Sequence, residues 1–145
     1  MILNDIKDGI VKALTDNFKD VPVYDEDVEQ GTNEPCFFID LINSNFKAGL
    51  GLHQFKASAD FAIYYLPADK ENAKTEINSI IGLLDIALLT INVDGVGILG
   101  YNQSSHIDTE NEMLVYTVSY DAYLKKKEDF IYMETLESEV KVNGW

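Results

Sequence analysis

The sequence predicts an α+β domain in which a largely antiparallel sheet is packed by two helices. Three observations predict it. Residues 2–18 and 70–88 place apolar side chains at helical spacing. Residues 53–65 and 113–124 alternate apolar and polar side chains, the period of a half-buried strand. The strand signals come in consecutive runs on either side of the second helix, so the expected order is α-β-β-β-α-β-β plus a C-terminal arm. The expected domain spans residues 1–127, and residues 128–145 form the arm.

The first helix, residues 2–18, sets Leu3, Ile6, Ile10, Ala13, Leu14 and Phe18 on one side. Asp5, Lys7, Asp8, Lys12, Thr15 and Asp16 take the other. Asn4 is the expected cap, with Asp5 and Asp8 at the positive end of the helix dipole. A short strand at residues 21–24 leads into an acidic loop, residues 25–34. A strand at residues 36–42 is apolar on both faces except at Asp40, which predicts a central or covered position. Residues 43–52 contain two glycines and read as a loop carrying Phe46, Leu50 and Leu52.

In the next strand His53, Phe55, Ala57, Ala59, Phe61, Ile63 and Tyr65 are expected to face the core, and Pro67 ends it. Asp69 is the expected cap of the second helix, whose stripe is Ala73, Ile77, Ile80, Ile81, Leu84 and Leu88. Beyond Ile80 this helix is apolar on nearly all sides, adding Leu83, Ile86, Ala87 and Leu89, and something must cover it. A strand begins at Ile91, Asp94-Gly95 is a turn signal, and residues 96–107 and 113–124 form an antiparallel hairpin. In its second arm Leu114, Tyr116, Val118, Tyr120, Ala122 and Leu124 share one face. Lys125, Lys126 and Lys127 close the folded part.

The formal net charge is −14, from 25 acids against 11 bases, all of them lysine. Phosphate binding draws on clustered Lys and Arg, so this balance argues against nucleic-acid recognition. Cys36 is the single cysteine, so no internal disulfide is available. No basic region followed by an apolar run opens the chain, so no signal peptide is expected. Residues 80–89, the longest strongly apolar run, are too few to span a bilayer and include Asp85. Together these predict a protein made in a reducing cytoplasm.

Chemistry-bearing motifs are sparse. His53 and His106 are the only histidines, one at the start of a core-facing strand register and one near a hairpin tip. Catalysis needs such groups held beside partners, and the expected role of each is that of a packed or surface histidine. Residues 25–34 offer carboxylates at Asp25, Glu26, Asp27, Glu29 and Glu34, but an EF-hand needs glycine sixth and glutamate twelfth. Here Gly31 is seventh and Cys36 twelfth, so a solvated loop is expected and no metal. Gly95, Gly97 and Gly100 fit G-x-G-x-x-G, yet they lead into a strand and not a helix, so a bulge or hairpin role is expected. No catalytic residue, cofactor or metal site is expected.

The pieces resemble a known family. Its carriers here are Val23-Tyr24 with Val28-Glu29-Gln30-Gly31, then Glu34-Pro35-Cys36-Phe37-Phe38-Ile39. The strand Phe61-Ala62-Ile63-Tyr64-Tyr65-Leu66-Pro67, then Val118-Ser119-Tyr120-Asp121, and finally Met133-Glu134-Thr135-Leu136 continue it. On these residues the chain resembles the tail terminators of contractile-tailed phages, prophages and tail-like bacteriocins of low-GC Gram-positive bacteria. The resemblance implies a structural protein that forms a ring of six copies on the last tail-tube ring, where it stops elongation. It also implies contacts to tube and sheath proteins and a surface for the neck or capsid, after assembly in the host cytoplasm.

Apolar side chains outside the expected core faces mark expected oligomer contacts: Phe46, Leu50 and Leu52 in the loop, and Leu83 and Ile86 on the second helix. In the arm they are Phe130, Ile131, Tyr132, Met133, Leu136 and Trp145. Asp25, Glu26, Asp27, Glu29 and Glu34 are the expected lumen charges of such a ring. Two other readings stay open at this point: a head-to-tail joining protein of the same particles, and an acidic DNA mimic, which would account for the charge.

Overall fold

The computed structural model describes residues 2–24, 34–48, 54–69 and 71–125, with the backbone alone at Leu124 and Lys125. The chain order is α1 (Ile2–Asn17), β1 (Val23–Tyr24), β2 (Cys36–Ala48), β3 (Gln54–Leu66), α2 (Ala73–Ala87), β4 (Thr90–Val93), β5 (Val96–Asp108) and β6 (Met113–Lys125). The strands form one six-stranded sheet ordered β1-β2-β3-β6-β5-β4. Only β1 pairs in parallel, with β2; the other neighbours are antiparallel. The expected α+β class holds. The order gains one strand, because β4 is separate from β5, joined to it through Asp94 and Gly95.

That turn has the chemistry the sequence announces. Asp94 and Gly95 both have positive φ, 54° and 82°, as a type I′ turn requires. The Asn92 side chain accepts the Gly95 N–H at 2.8 Å.

The alternating strands set the core. Phe55, Ala57, Ala59, Phe61, Ile63 and Tyr65 of β3 are buried, as are Leu114, Tyr116, Val118, Tyr120 and Ala122 of β6. The two rows lie side by side, since Phe61 pairs with Val118 and Ile63 with Tyr116. Onto them pack Ile6, Ile10 and Leu14 of α1 and Ile77, Ile80 and Leu84 of α2, with Leu88 just beyond. Tyrosine hydroxyls tie the helical layer to the sheet. Tyr116 donates to Asp85 Oδ1 at 2.6 Å, and Tyr65 donates to Glu76 Oε2 at 2.6 Å. Tyr120 donates to the Leu88 carbonyl.

Two close approaches demand glycine. A Cβ at Gly9 would lie 2.7 Å from the Asn92 carbonyl oxygen, because α1 rests directly on β4. One at Gly100 would lie 2.9 Å from the Leu88 carbonyl. Of the G-x-G-x-x-G glycines, Gly95 thus takes the expected hairpin role, and Gly100 serves close packing instead.

Four expectations need correction. β2 continues to Ala48, where the sequence predicts a loop from residue 43. A bulge at Ile42 shifts its register against β3, and the ladder resumes at Asn43 opposite Asp60. The partner strand supplies the hydrogen bonds that make this polar stretch a strand. The expected cover of β2 is also absent beyond its start: Leu41 and Ile42 are exposed. Asn4 lies inside α1, which begins at Ile2. Asp69 does not cap α2 directly; its Oδ1 accepts the N–H groups of Glu71 and Asn72. Asn72 takes the cap position instead, and α2 starts at Ala73. Residues 25–33, His53 and the arm lie outside the described residues.

Candidate functional site

Among the described residues no group of three His, Cys, Asp or Glu could hold a metal ion. Cys36 is buried and outside any disulfide, and His106 lies exposed on β5. Among the described residues no helix is long and apolar enough to cross a membrane. The features that stand out are exposed apolar surfaces.

The first runs along α2. Ile77, Ile80 and Leu84 point to the core, so residues on the opposite side are left to solvent. Leu83 is 54% exposed and Ile86 77%. Leu89, beyond the helix end, is also exposed. Its carbonyl accepts the Gly100 N–H at 2.6 Å, which sets the helix end against β5. Thr90 pairs with Leu99 there, and Leu99 and Val96 are both exposed. Exposed apolar side chains are therefore found both on α2 and on the β4–β5 hairpin.

The hairpin borders a groove of about 530 Å³, lined by Ile2 of α1, by Val93, Asp94, Val96, Leu99 and Tyr101 of the β4–β5 hairpin and by Asp121, Ala122 and Tyr123 of β6. Tyr101 donates to Asp121 Oδ1 at 2.7 Å, and this bond, with partial burial, pushes the phenol up to about 12. Burial pushes the Asp121 carboxyl upward. Hydrogen bonds from Tyr101 and Ser58 and the charge of Lys56 outweigh it and hold the group below the carboxylate range. Lys56 Nζ lies 3.7 Å from Asp121 Oδ2. At neutral pH Asp121 is thus a carboxylate whose charge is met by Lys56 and by the Tyr101 hydroxyl.

The second surface is at the far side of the sheet. Phe46 stands on β2 and stacks on Phe55, ring centroids 5.5 Å apart and nearly parallel. It is 51% exposed, because the helices cover the other end of this face.

The structure thus brings Leu83 and Ile86 together and sets Phe46 apart from them. Glu34 is exposed two residues before β2. Leu50, Leu52, Asp25, Glu26, Asp27, Glu29, Phe130, Ile131, Tyr132, Met133, Leu136 and Trp145 lie outside the described residues. Sequence reasoning missed Leu41, Ile42, Val96, Leu99, Tyr101 and Tyr123. Tyr123 was within reach, since it falls on the odd-numbered face of β6. Leu99 and Tyr101 alternate with Gly100, a signal blurred by the glycines around it.

Comparison with known proteins follows this geometry. A family model described as "Phage tail terminator protein" matches residues 5–131. Among solved structures, a chain of the "Virion of native gene transfer agent (GTA) particle" superposes with a TM-score of 0.52. It is 14% identical, and the match covers 86% of this chain and 97% of that one, a likeness of fold. No curated protein matches. Because the family match runs from α1 to beyond β6, this chain belongs to the phage tail terminator family, whose members are structural and not catalytic.

Proposed function

We propose that the chain assembles into a ring of six copies on the last ring of a contractile tail tube. There it stops tube and sheath elongation and presents a surface to the neck or connector. The observation that carries this reading is the family match over residues 5–131. The exposed Leu83, Ile86, Leu89, Val96, Leu99 and Phe46 support it, since large apolar side chains in water favour burial in a partner. The partners are other copies of the chain, the tube protein and the sheath protein. Assembly takes place in the host cytoplasm, before the protein becomes part of the finished particle.

DNA passing through a ring must not stick to it, and a net charge of −14 with no arginine suits such a wall. Residues 25–34 are the proposed source of lumen charge. The arm from residue 128 is proposed to reach a neighbouring subunit or the tube.

The test is to delete the gene in a host producing the particles and to measure tail lengths by electron microscopy. Tails of uncontrolled length, restored to one length by the purified protein, are expected. Tails of unchanged length, or a gold-labelled protein found away from the tube end, would refute the reading.

A further inference from the structure

Strands β5 and β6 diverge partway along. They pair from Asp108 and Met113 to Gly100 and Tyr120, yet β5 begins earlier, at Val96, and β6 runs on to Lys125. Beyond the last pair each strand turns to its other neighbour. Residues 96–99 pair with β4, and residues 121–125 pair with β3. The sides that face each other across this fork have no ladder partner among the described residues. Gly100 sits at its base, where Tyr120 and Val118 atoms lie 3.0 Å from the place of a Cβ. The groove of about 530 Å³ occupies the fork, since consecutive residues of both strands, 96–99 and 121–123, line it. Open strand edges of this kind accept another extended segment, which bonds to them through its backbone.

Such a segment must be apolar on both faces. Successive lip residues point to opposite faces of the sheet: Ile98 and Ala122 pack on the core side, and Leu99 and Tyr123 lie exposed on the other. It needs no charge, because Asp121 is met by Lys56 and Tyr101 of its own chain. Outside the described residues the sequence has one run of four consecutive apolar residues, Phe130-Ile131-Tyr132-Met133. A short run apolar on both faces is the pattern of a strand with neighbours on both sides. The family match extends past β6 to residue 131, into this run.

The chain leaves β6 at the mouth of the fork, heading away from its base. Residues 126–129 are Lys, Lys, Glu and Asp, without the Gly, Asn or Pro that turns a hairpin. The other turns beside β5 do have them, Asp94-Gly95 on one side and Asn111, bonded to Asp108, on the other. Extended, the five steps from Lys125 to Phe130 carry the run about 16 Å outward, at about 3.3 Å each.

We infer that residues 130–133 of one copy enter the fork of the next copy as an added strand between β5 and β6. This rests on the ring reading above and names where the arm binds. Each copy gives one arm and receives one, a head-to-tail contact of the kind that closes into a ring.

The test uses the full chain carrying Leu99→Cys, Ile131→Cys, or both, free and on purified tail tubes, with a short bismaleimide. Cys36 is buried and is left in place. A mixture of the two single variants should give crosslinked dimers that neither gives alone. The double variant should give a ladder of covalent species up to the closed ring. Crosslinks confined within one chain of the double variant, with no such dimers from the mixture, would mean that the arm fills its own fork and would overturn the inference. Between two strands every N–H of the run is bonded, so Ile131→Pro should melt like the wild type and lose ring formation. Rings formed by Ile131→Pro as readily as by the wild type would also overturn it. Native mass spectrometry of the same samples separates the two ideas. Rings without crosslinks between chains overturn the arm's binding site alone. Absence of rings, free or on tubes, overturns both.

Discussion

Replacing Gly9 and Gly82 by alanine, one at a time, should move stability in opposite directions. Both glycines sit inside helices, α1 and α2. Helix propensity alone favours alanine over glycine by about 1 kcal/mol at either position. At Gly82 nothing lies within 4 Å of the added Cβ. Gly82→Ala should therefore stabilise by about 0.5–1 kcal/mol. At Gly9 the added carbon would meet the Asn92 carbonyl oxygen at 2.7 Å and the Ile91 Cδ1 at 3.3 Å. Relaxed C···O contacts lie at about 3.3–3.6 Å, so α1 must lift by at least ~0.6 Å. The obstacle is backbone on a paired strand and cannot rotate away. Lifting α1 loosens Ile6, Ile10 and Leu14, all fully buried. Overpacking of this kind costs about 2–3 kcal/mol, which exceeds the propensity gain. The net loss of about 1–2 kcal/mol should lower the melting temperature by roughly 3–8 °C. Differential scanning calorimetry on both variants and the wild type measures this. A Gly9→Ala protein that melts at or above the wild type would show that α1 does not press on β4.

Tyr116→Phe should destabilise by about 1–2 kcal/mol, since it removes a hydroxyl that donates to Asp85 and accepts from Gln103; Val118→Asp, which buries a carboxylate at the sheet centre, should prevent folding, and urea titration of both decides. A stability curve against pH tests Glu76. Burial pushes its carboxyl up, but hydrogen bonds from Tyr65 and from the Ala68 and Asp69 amides hold it below its ordinary 4.5. A depressed folded value means that its contribution is complete above 4.5 and fades as pH falls through that lower value. Glu76→Gln should be less stable than wild type at pH 7 and lose less stability between pH 5 and 3; parallel curves would disprove the role. Truncation after Lys127 should leave a folded domain with nearly unchanged melting that no longer caps tubes. A truncated chain that fails to fold would place the arm in the core.

The sequence by itself determined the elements whose pattern is local. The 3.6-residue spacing of Ile6, Ile10 and Leu14, and the alternation in β3 and β6, encode directly which face is buried, and those faces are buried in the fold. Asp94-Gly95 announces its turn because few other residues accept positive φ. Tertiary structure alone decided the rest, because it depends on partners distant in the chain. Residues 43–48 have no strand pattern of their own and become strand because β3 offers a ladder, with the bulge at Ile42 resetting which side faces the core. Gly9 reads as a poor helix residue until Asn92 is seen 2.7 Å from its missing Cβ. Leu83 and Ile86 are apolar in any reading, but only the placement of α2 on the sheet shows that they face out. The groove joins residues from α1, β4, β5 and β6, more than a hundred positions apart. No window of sequence contains it, because the sheet order that assembles it is set by packing over the whole chain.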